Sequence, residues 1–311
     1  MSFRKLLAGT VAGGGLLAAA NRRLQSAAPN LEPPLDGDHH TRRWRGMDVA
    51  YTEAGDPDDP DLLLLHGINA AGSSGEFRAV FDDLADDYHV IAPDLPGFGC
   101  SDRPPLRYSA TLYESFVADF LGDYESPAVV ASSLSAAYTV NALRNDPELS
   151  VRDLLLICPA AIAGPEPPNG WLRELLRSPV VGTGLFNLLG SKPSIRYFNA
   201  DHGYYDIGKV SDEWLDYEWQ TTHQPNARFA LASFVSGYLN ADSDLGEAIG
   251  DLDVSTTLLW GRDADITPLA DGRELADEAD ATLVVFDESK LLPHVEFPEG
   301  FCGVVDERFG G

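Results

Sequence analysis

The chain is poor in cysteine and poorer in lysine. Its 311 residues hold three cysteines, Cys100, Cys158 and Cys302, far apart and without a CxxC pair. That excludes a disulfide-built scaffold, and no cluster of ligand-type residues marks a metal centre. Cys158 ends the apolar run Leu154–Cys158 and reads as a small core residue. Cys100 follows a Gly-rich turn with no neighbouring histidine, so neither is assigned chemistry. The cations are four lysines and eighteen arginines, and no basic stripe stands ready to neutralise phosphates. A nucleic-acid partner is thereby disfavoured. Gly97-x-Gly99 alone does not make a dinucleotide site, and no cofactor is implied. Low-complexity segments and internal repeats are absent as well.

What the chain has in excess is acid. Forty-nine acidic residues face 22 basic ones, a net charge of −27. Such self-repulsion destabilises a compact state in dilute buffer, whereas at about 1 M salt the screening length falls to about 3 Å. The acid is spread along the whole chain, which reads as adaptation to concentrated salt rather than as an acidic tail for a basic partner.

Near the amino terminus Arg4 and Lys5 precede the uncharged apolar stretch Leu6–Ala20, which ends in three alanines. The layout is that of a signal peptide with a small-residue cleavage site. At 15 residues the stretch is short for a spanning helix, which needs about 20. The positive Asn21-Arg22-Arg23 that follows makes an awkward mature start. Export, a weakly membrane-associating helix over residues 3–20, and a frayed tail on a cytoplasmic protein therefore all stay open.

Residues 1–38 read as this segment plus a Pro-rich linker. Beyond them short apolar runs alternate with helical stretches. Strands are expected at Leu62–Leu65, His89–Ala92, Ala128–Ala131, Leu154–Cys158, Thr257–Trp260 and Leu283–Phe286. Helices are expected at Phe77–Ala85, Leu112–Leu121, Ser133–Leu143, from about Pro268, and at Pro298–Phe309. Trp44–Glu53 fits an antiparallel pair at one edge. The fold class is α/β: a mainly parallel sheet with helices on both faces, formed by residues 39–159 and 235–311. Residues 160–234, rich in proline and aromatics and helical near Trp171–Leu176 and Val210–Glu218, read as an inserted helical cap over an apolar pocket.

Four motifs fall at strand ends: His66-Gly67-Ile68-Asn69, the run Asp94–Pro104, Ala131-Ser132-Ser133-Leu134-Ser135, and Trp260–Pro268. In this order and spacing they resemble the α/β-hydrolase fold family, from about Arg43 to Phe309 apart from the cap. The resemblance implies a nucleophile on a sharp strand-to-helix turn with small flanking residues, which is Ser133. Taking Ser132 instead puts Leu134 in a small position, and Ser135 lies further from the strand end. The resemblance also implies an oxyanion hole from the backbone N–H groups of Ile68 and Leu134, and a structural role for His66.

The other two triad positions depart from the family pattern. Ala264 stands at the acid's place, flanked by Asp263 and Asp265. Asp263 is narrowly preferred, because Asp265 also reads as the approach to a helix capped by Thr267. Glu296-Phe297-Pro298 fixes the register of the C-terminal motif, which puts Leu291 at the catalytic histidine's place and His294 three residues later. If that segment is helical, the offset is about 4.5 Å of rise and roughly 60° of rotation, which leaves His294 on the same side. His223 in the cap is the alternative base. Two functions are consistent with these residues. One is a serine hydrolase of an uncharged, apolar ester, lactone or related acyl compound. The other is a non-catalytic hydrolase-fold protein that binds a small apolar ligand or a partner.

Overall fold

The computed structural model describes residues 3–310, with side chains from residue 15 onward. Most of the stretch read as an export or membrane segment thus lies outside the described side chains. Its backbone is helical as part of α1 (Phe3–Ala27). No helix among the described residues is long and apolar enough to cross a membrane.

Eight strands form one sheet: β1 (Asp38–Trp44), β2 (Met47–Ala54), β3 (Asp61–Leu65), β4 (His89–Pro93), β5 (Ala128–Ser132), β6 (Asp153–Ile157), β7 (Ser255–Gly261) and β8 (Thr282–Phe286). Their spatial order is β1-β2-β4-β3-β5-β6-β7-β8. The β1–β2 and β2–β4 pairs are antiparallel, and all pairs from β4 to β8 are parallel. The central strands read as unbroken apolar runs because both faces are covered. Alternation divides them cleanly. Leu63, Leu65, Val129, Ala131, Leu154 and Leu156 enter the core beneath α3 (Ala110–Leu121) and α4 (Leu134–Asn145). Leu62, Leu64, Ala128, Val130, Leu155 and Ile157 face the opposite core, with Phe301, Val305 and Phe309 of the final helix.

One expected element is shorter than its sequence suggests. Instead of a helix over Phe77–Ala85 there is a 3-10 turn, Ser74–Phe77, and then the single-turn α2 (Phe81–Leu84). The Asp94 carboxylate causes this by accepting from the Ser74 N–H at 2.6 Å and the Cys100 N–H at 2.6 Å, which ties the loops after β3 and β4 together. Pro34 and Leu35 of the linker lie against this body; Leu35 is buried.

Between β6 and β7 the chain makes α5 (Gly170–Arg177), α6 (Val181–Leu189), α7 (Lys192–Phe198), α8 (Asp212–Thr222), α9 (Arg228–Phe234) and α10 (Leu245–Gly250). Then follow α11 (Leu269–Ala279), the single-turn α12 (Pro293–Glu296) and α13 (Pro298–Phe309). The loops carrying every motif described above lie beyond the carboxyl ends of the parallel strands, where open α/β sheets bind ligands.

Candidate active site

β5 must hand its last residue directly to α4, and Ser133 makes the turn with φ 54° and ψ −126°. Residues with a Cβ occupy such backbone only at a cost of order 1–3 kcal/mol. Neighbours hold it there. Its N–H donates to the Ile157 carbonyl at 2.9 Å, and its carbonyl accepts from Ala136 N–H at 3.1 Å and Ala160 N–H at 3.3 Å. Glycine is needed opposite the turn. A Cβ at Gly67 would stand 3.4 Å from Ser133 Cβ and 3.2 Å from Ser132 Oγ.

The other serines are committed elsewhere. Ser135 is fully buried and donates to the His66 carbonyl at 2.6 Å. Ser132 is buried beside the Glu76 carboxylate. Ser133 is the one of the three that retains exposure. The amides of Ile68 and Leu134, at the loop after β3 and the first position of α4, enter no hydrogen bond among the described residues.

His66 is a strut. Leu95 N–H donates to its Nε2 at 3.0 Å, so Nε2 is unprotonated, and its Nδ1–H faces the Gly67 carbonyl at 2.8 Å. Burial lowers its pKa, which keeps the ring neutral.

The expected triad partners are not brought together. Asp263 and Asp265 both have exposed side chains, and Asp263 is held only through its N–H, which donates to the Ser289 carbonyl at 2.9 Å. Thr267 does not cap the next helix; Pro268 precedes it and no side chain supplies a cap bond. Between the two carboxylates Ala264 turns inward and packs with Cys158, Trp260, Leu269 and Leu291. Ala264 and Leu291 therefore share one apolar cluster. Burial pushes the Cys158 thiol up to about 12, so it stays a protonated core group.

The helical link between Leu291 and His294 does not exist, because α12 begins at Pro293 and leaves Leu291 outside it. The Glu296 carboxylate sets this path. It accepts from the Ser289 hydroxyl and the Lys290 N–H at 3.2 Å each and from the Asp206 N–H at 3.0 Å. His294 consequently turns away from the Leu291 cluster and is wholly buried between Phe77 and Phe301, with ring centroids 5.3 and 5.7 Å distant. Its Nε2 lies 3.5 Å from Glu76 Oε1. Neither ring nitrogen, nor Glu76 Oε1, has a hydrogen-bond partner among the described residues. His223 is also buried, stacked on Trp219 at 4.4 Å, with Nδ1 2.8 Å from the Trp219 carbonyl; it is bound into the packing of α8.

Glu76 is the residue that sequence reasoning missed. Its Oε2 accepts from the Gly67 N–H at 2.9 Å, and its neighbours on either side are Ser132 and His294. Burial raises its pKa, against the hydrogen bonds from Ser132 and Gly67 and the nearby Arg78. Burial, aided by Arg78, lowers His294 to about 3. Ser132, Glu76 and His294 thus lie buried side by side beneath the Gly67 loop.

The model of the alpha/beta hydrolase family matches residues 62–304. This chain belongs to that family. A 2-hydroxymuconate semialdehyde hydrolase of a Pseudomonas species is 26% identical over 79% of this chain and 85% of its own length. An uncharacterized hydrolase of Saccharomyces cerevisiae is 49% identical, but over only 21% of this chain and 22% of its own. Among solved structures, a 2-hydroxy-6-oxo-6-phenylhexa-2,4-dienoate hydrolase from a Rhodococcus species superposes with a TM-score of 0.71. It is 22% identical, over 89% of this chain and all of that one. At that identity the likeness establishes the fold.

Proposed function

We propose that this alpha/beta hydrolase is a slow serine hydrolase of an uncharged, apolar ester, lactone or related acyl compound. The observation that carries the reading is the strained backbone of Ser133. Strain of this kind persists where it aims a side chain, and a turn that only joined β5 to α4 would be relieved by glycine. In this reading Ser133 Oγ attacks the acyl carbon, and the Ile68 and Leu134 N–H groups hold the oxyanion that forms. The leaving group departs, and water then hydrolyses the acyl-Ser133 ester.

The proton acceptor is the Glu76–His294 pair rather than an aspartate–histidine couple at the usual positions. His294 is neutral at pH 7 and its nitrogens are unengaged, as a base requires. It is a weak one. A pKa near 3 against an ordinary 6.5 removes about 5 kcal/mol of proton-transfer driving force unless an ionised Glu76 steadies the imidazolium. Slow turnover follows, resting mainly on the elbow and the oxyanion donors, which alone retain roughly 10³–10⁴-fold catalysis in serine enzymes stripped of their triad. The helices between β6 and β7 act as the cap. Phe186, Ala227 and Leu231 pack on Ala70, two residues beyond Ile68, which gives the approach to Ser133 an apolar wall.

The test is labelling by a fluorophosphonate probe in about 2 M KCl, where charge repulsion is screened, on wild type, Ser133→Ala, Glu76→Gln, His294→Ala and His223→Ala. Labelling should vanish in Ser133→Ala, slow by roughly 10²-fold in the Glu76 and His294 variants, and be unchanged in His223→Ala. An ester and lactone panel follows, with oxo-dienoates included because relatives are named for them. A folded wild type that never labels overturns the reading. It would favour a non-catalytic ligand-binding protein, for which the shared apolar cluster of Ala264 and Leu291 is the specific support.

A further inference from the structure

The helix α1 docks on α6 through a small set of specific contacts. Leu17 sits against Gly184, where a Cβ would meet its side chain at 3.1 Å. Asn21 is buried in the seam; its amide donates to the Val180 carbonyl at 3.0 Å, and the Asn187 amide donates to its Oδ1 at 3.0 Å. Buried asparagines that pair in this way fix register, so the two helices form one defined unit.

That unit leaves large apolar side chains exposed on both helices. On α6, Val181, Leu185 and Leu188 follow an i, i+4, i+7 pattern and are 50%, 38% and 68% exposed. On α1, Leu16 is 74% exposed and Leu24 38%. Tyr197 and Phe198 of the adjoining α7 are exposed too.

The charge pattern says what covers them. Residues 1–31 contain Arg4, Lys5, Arg22 and Arg23 and no acid, and residues 178–200 contain Lys192 and Arg196 and no acid. In a chain of net charge −27 these two acid-free stretches pack against one another beside the exposed leucines. Lys192 is paired with Asp216, but Arg22, Arg23 and Arg196 are exposed, and exposed apolar side chains accompanied by free cations suit an anionic lipid interface.

We propose that α1 and α6 together form a monotopic docking surface for an anionic lipid bilayer. The surface seats Leu16, Leu185 and Leu188 among the lipid chains and Arg22 and Arg23 at the headgroups. It stands apart from the catalytic reading, since its test reads no activity.

The experiment is flotation of the full chain with phosphatidylcholine vesicles, with and without about a third phosphatidylglycerol, at the lowest KCl concentration that preserves the far-UV CD spectrum. Wild type should float with the anionic vesicles and much less with the neutral ones. The pairs Leu185→Asp/Leu188→Asp and Arg22→Glu/Arg23→Glu, all at exposed positions, should each lower the partition roughly tenfold or more while keeping the CD spectrum. Folded wild type that stays unbound, or that floats equally on neutral vesicles, overturns the proposal. So does unchanged flotation of the α6 pair, or a wild-type dimer that the α6 pair dissolves.

Discussion

Replacing His294 by leucine removes a group whose burial has a consequence readable without any substrate. The folded chain holds this imidazole at a pKa of about 3, against 6.5 when unfolded, because burial and Arg78 oppose its charge. The unfolded state therefore binds the proton first, and the folded state loses stability as pH falls from about 6.5 towards 3. Between pH 7 and pH 5 the difference integrates to about 2 kcal/mol, at about 1.4 kcal/mol per pH unit. The carboxylates titrate as well, but apart from Glu76, 3.5 Å from His294, they are common to both proteins and cancel in the comparison. At pH 7 the variant should match wild type or exceed it, because leucine of similar bulk replaces two buried ring nitrogens that have no partners. At pH 5 it should be the more stable by about 2 kcal/mol. Urea unfolding followed by CD in about 2 M KCl, at half-unit pH steps, measures this directly. Parallel stability curves for the two proteins would refute a buried, neutral His294.

Ser133→Gly should stabilise the fold by about 1 kcal/mol in the same urea assay, by relieving the positive φ at the turn, while abolishing probe labelling. Ala264→Asp with Leu291→His should raise the labelling rate at least roughly 10²-fold over wild type, whereas each single change should lower stability by about 1–3 kcal/mol and leave the rate low, since one polar group in that cluster has no partner. The melting temperature should climb steeply between about 0.1 and 2 M KCl, as screening suppresses repulsion within a chain of net charge −27; a flat profile by differential scanning fluorimetry would contradict that.

The fold was legible because burial on both faces writes itself into sequence as unbroken apolar runs such as Leu62–Leu65 and Val129–Ala131. The elbow was legible because two chain segments in contact exclude large side chains on either side of Ser133. The helix assigned to Phe77–Ala85 failed for a non-local reason: Asp94, on the next strand's loop, captures the Ser74 amide and holds Ser74–Phe77 in a 3-10 turn. Nor did local pattern hint at the α1–α6 seam, which depends on two asparagines distant in sequence. Glu76 was hidden by composition. In a chain with 17 glutamates one more carboxylate carries no signal, and its partner His294 comes from the far end of the chain.

Ala264 and Leu291, which the family resemblance sets at the acid and histidine places, are read as one change. Ala264 and Leu291 belong to one apolar cluster with Trp260 and Cys158. An aspartate there without its histidine, or a histidine without its aspartate, is a polar group placed in an apolar cluster with nothing to pair with, at a penalty of about 1–3 kcal/mol. Loss of either member thus favours loss of the other, and the apolar pair becomes self-consistent. The Ser133 turn is held by backbone bonds to Ile157 and Ala160 on one side and by close packing of Gly67 on the other. A strained serine can therefore persist without polar partners at Ala264 and Leu291. Glu76 and His294 lie beneath the same turn, so whether they have taken up the proton transfer is decided by the labelling rate of their variants.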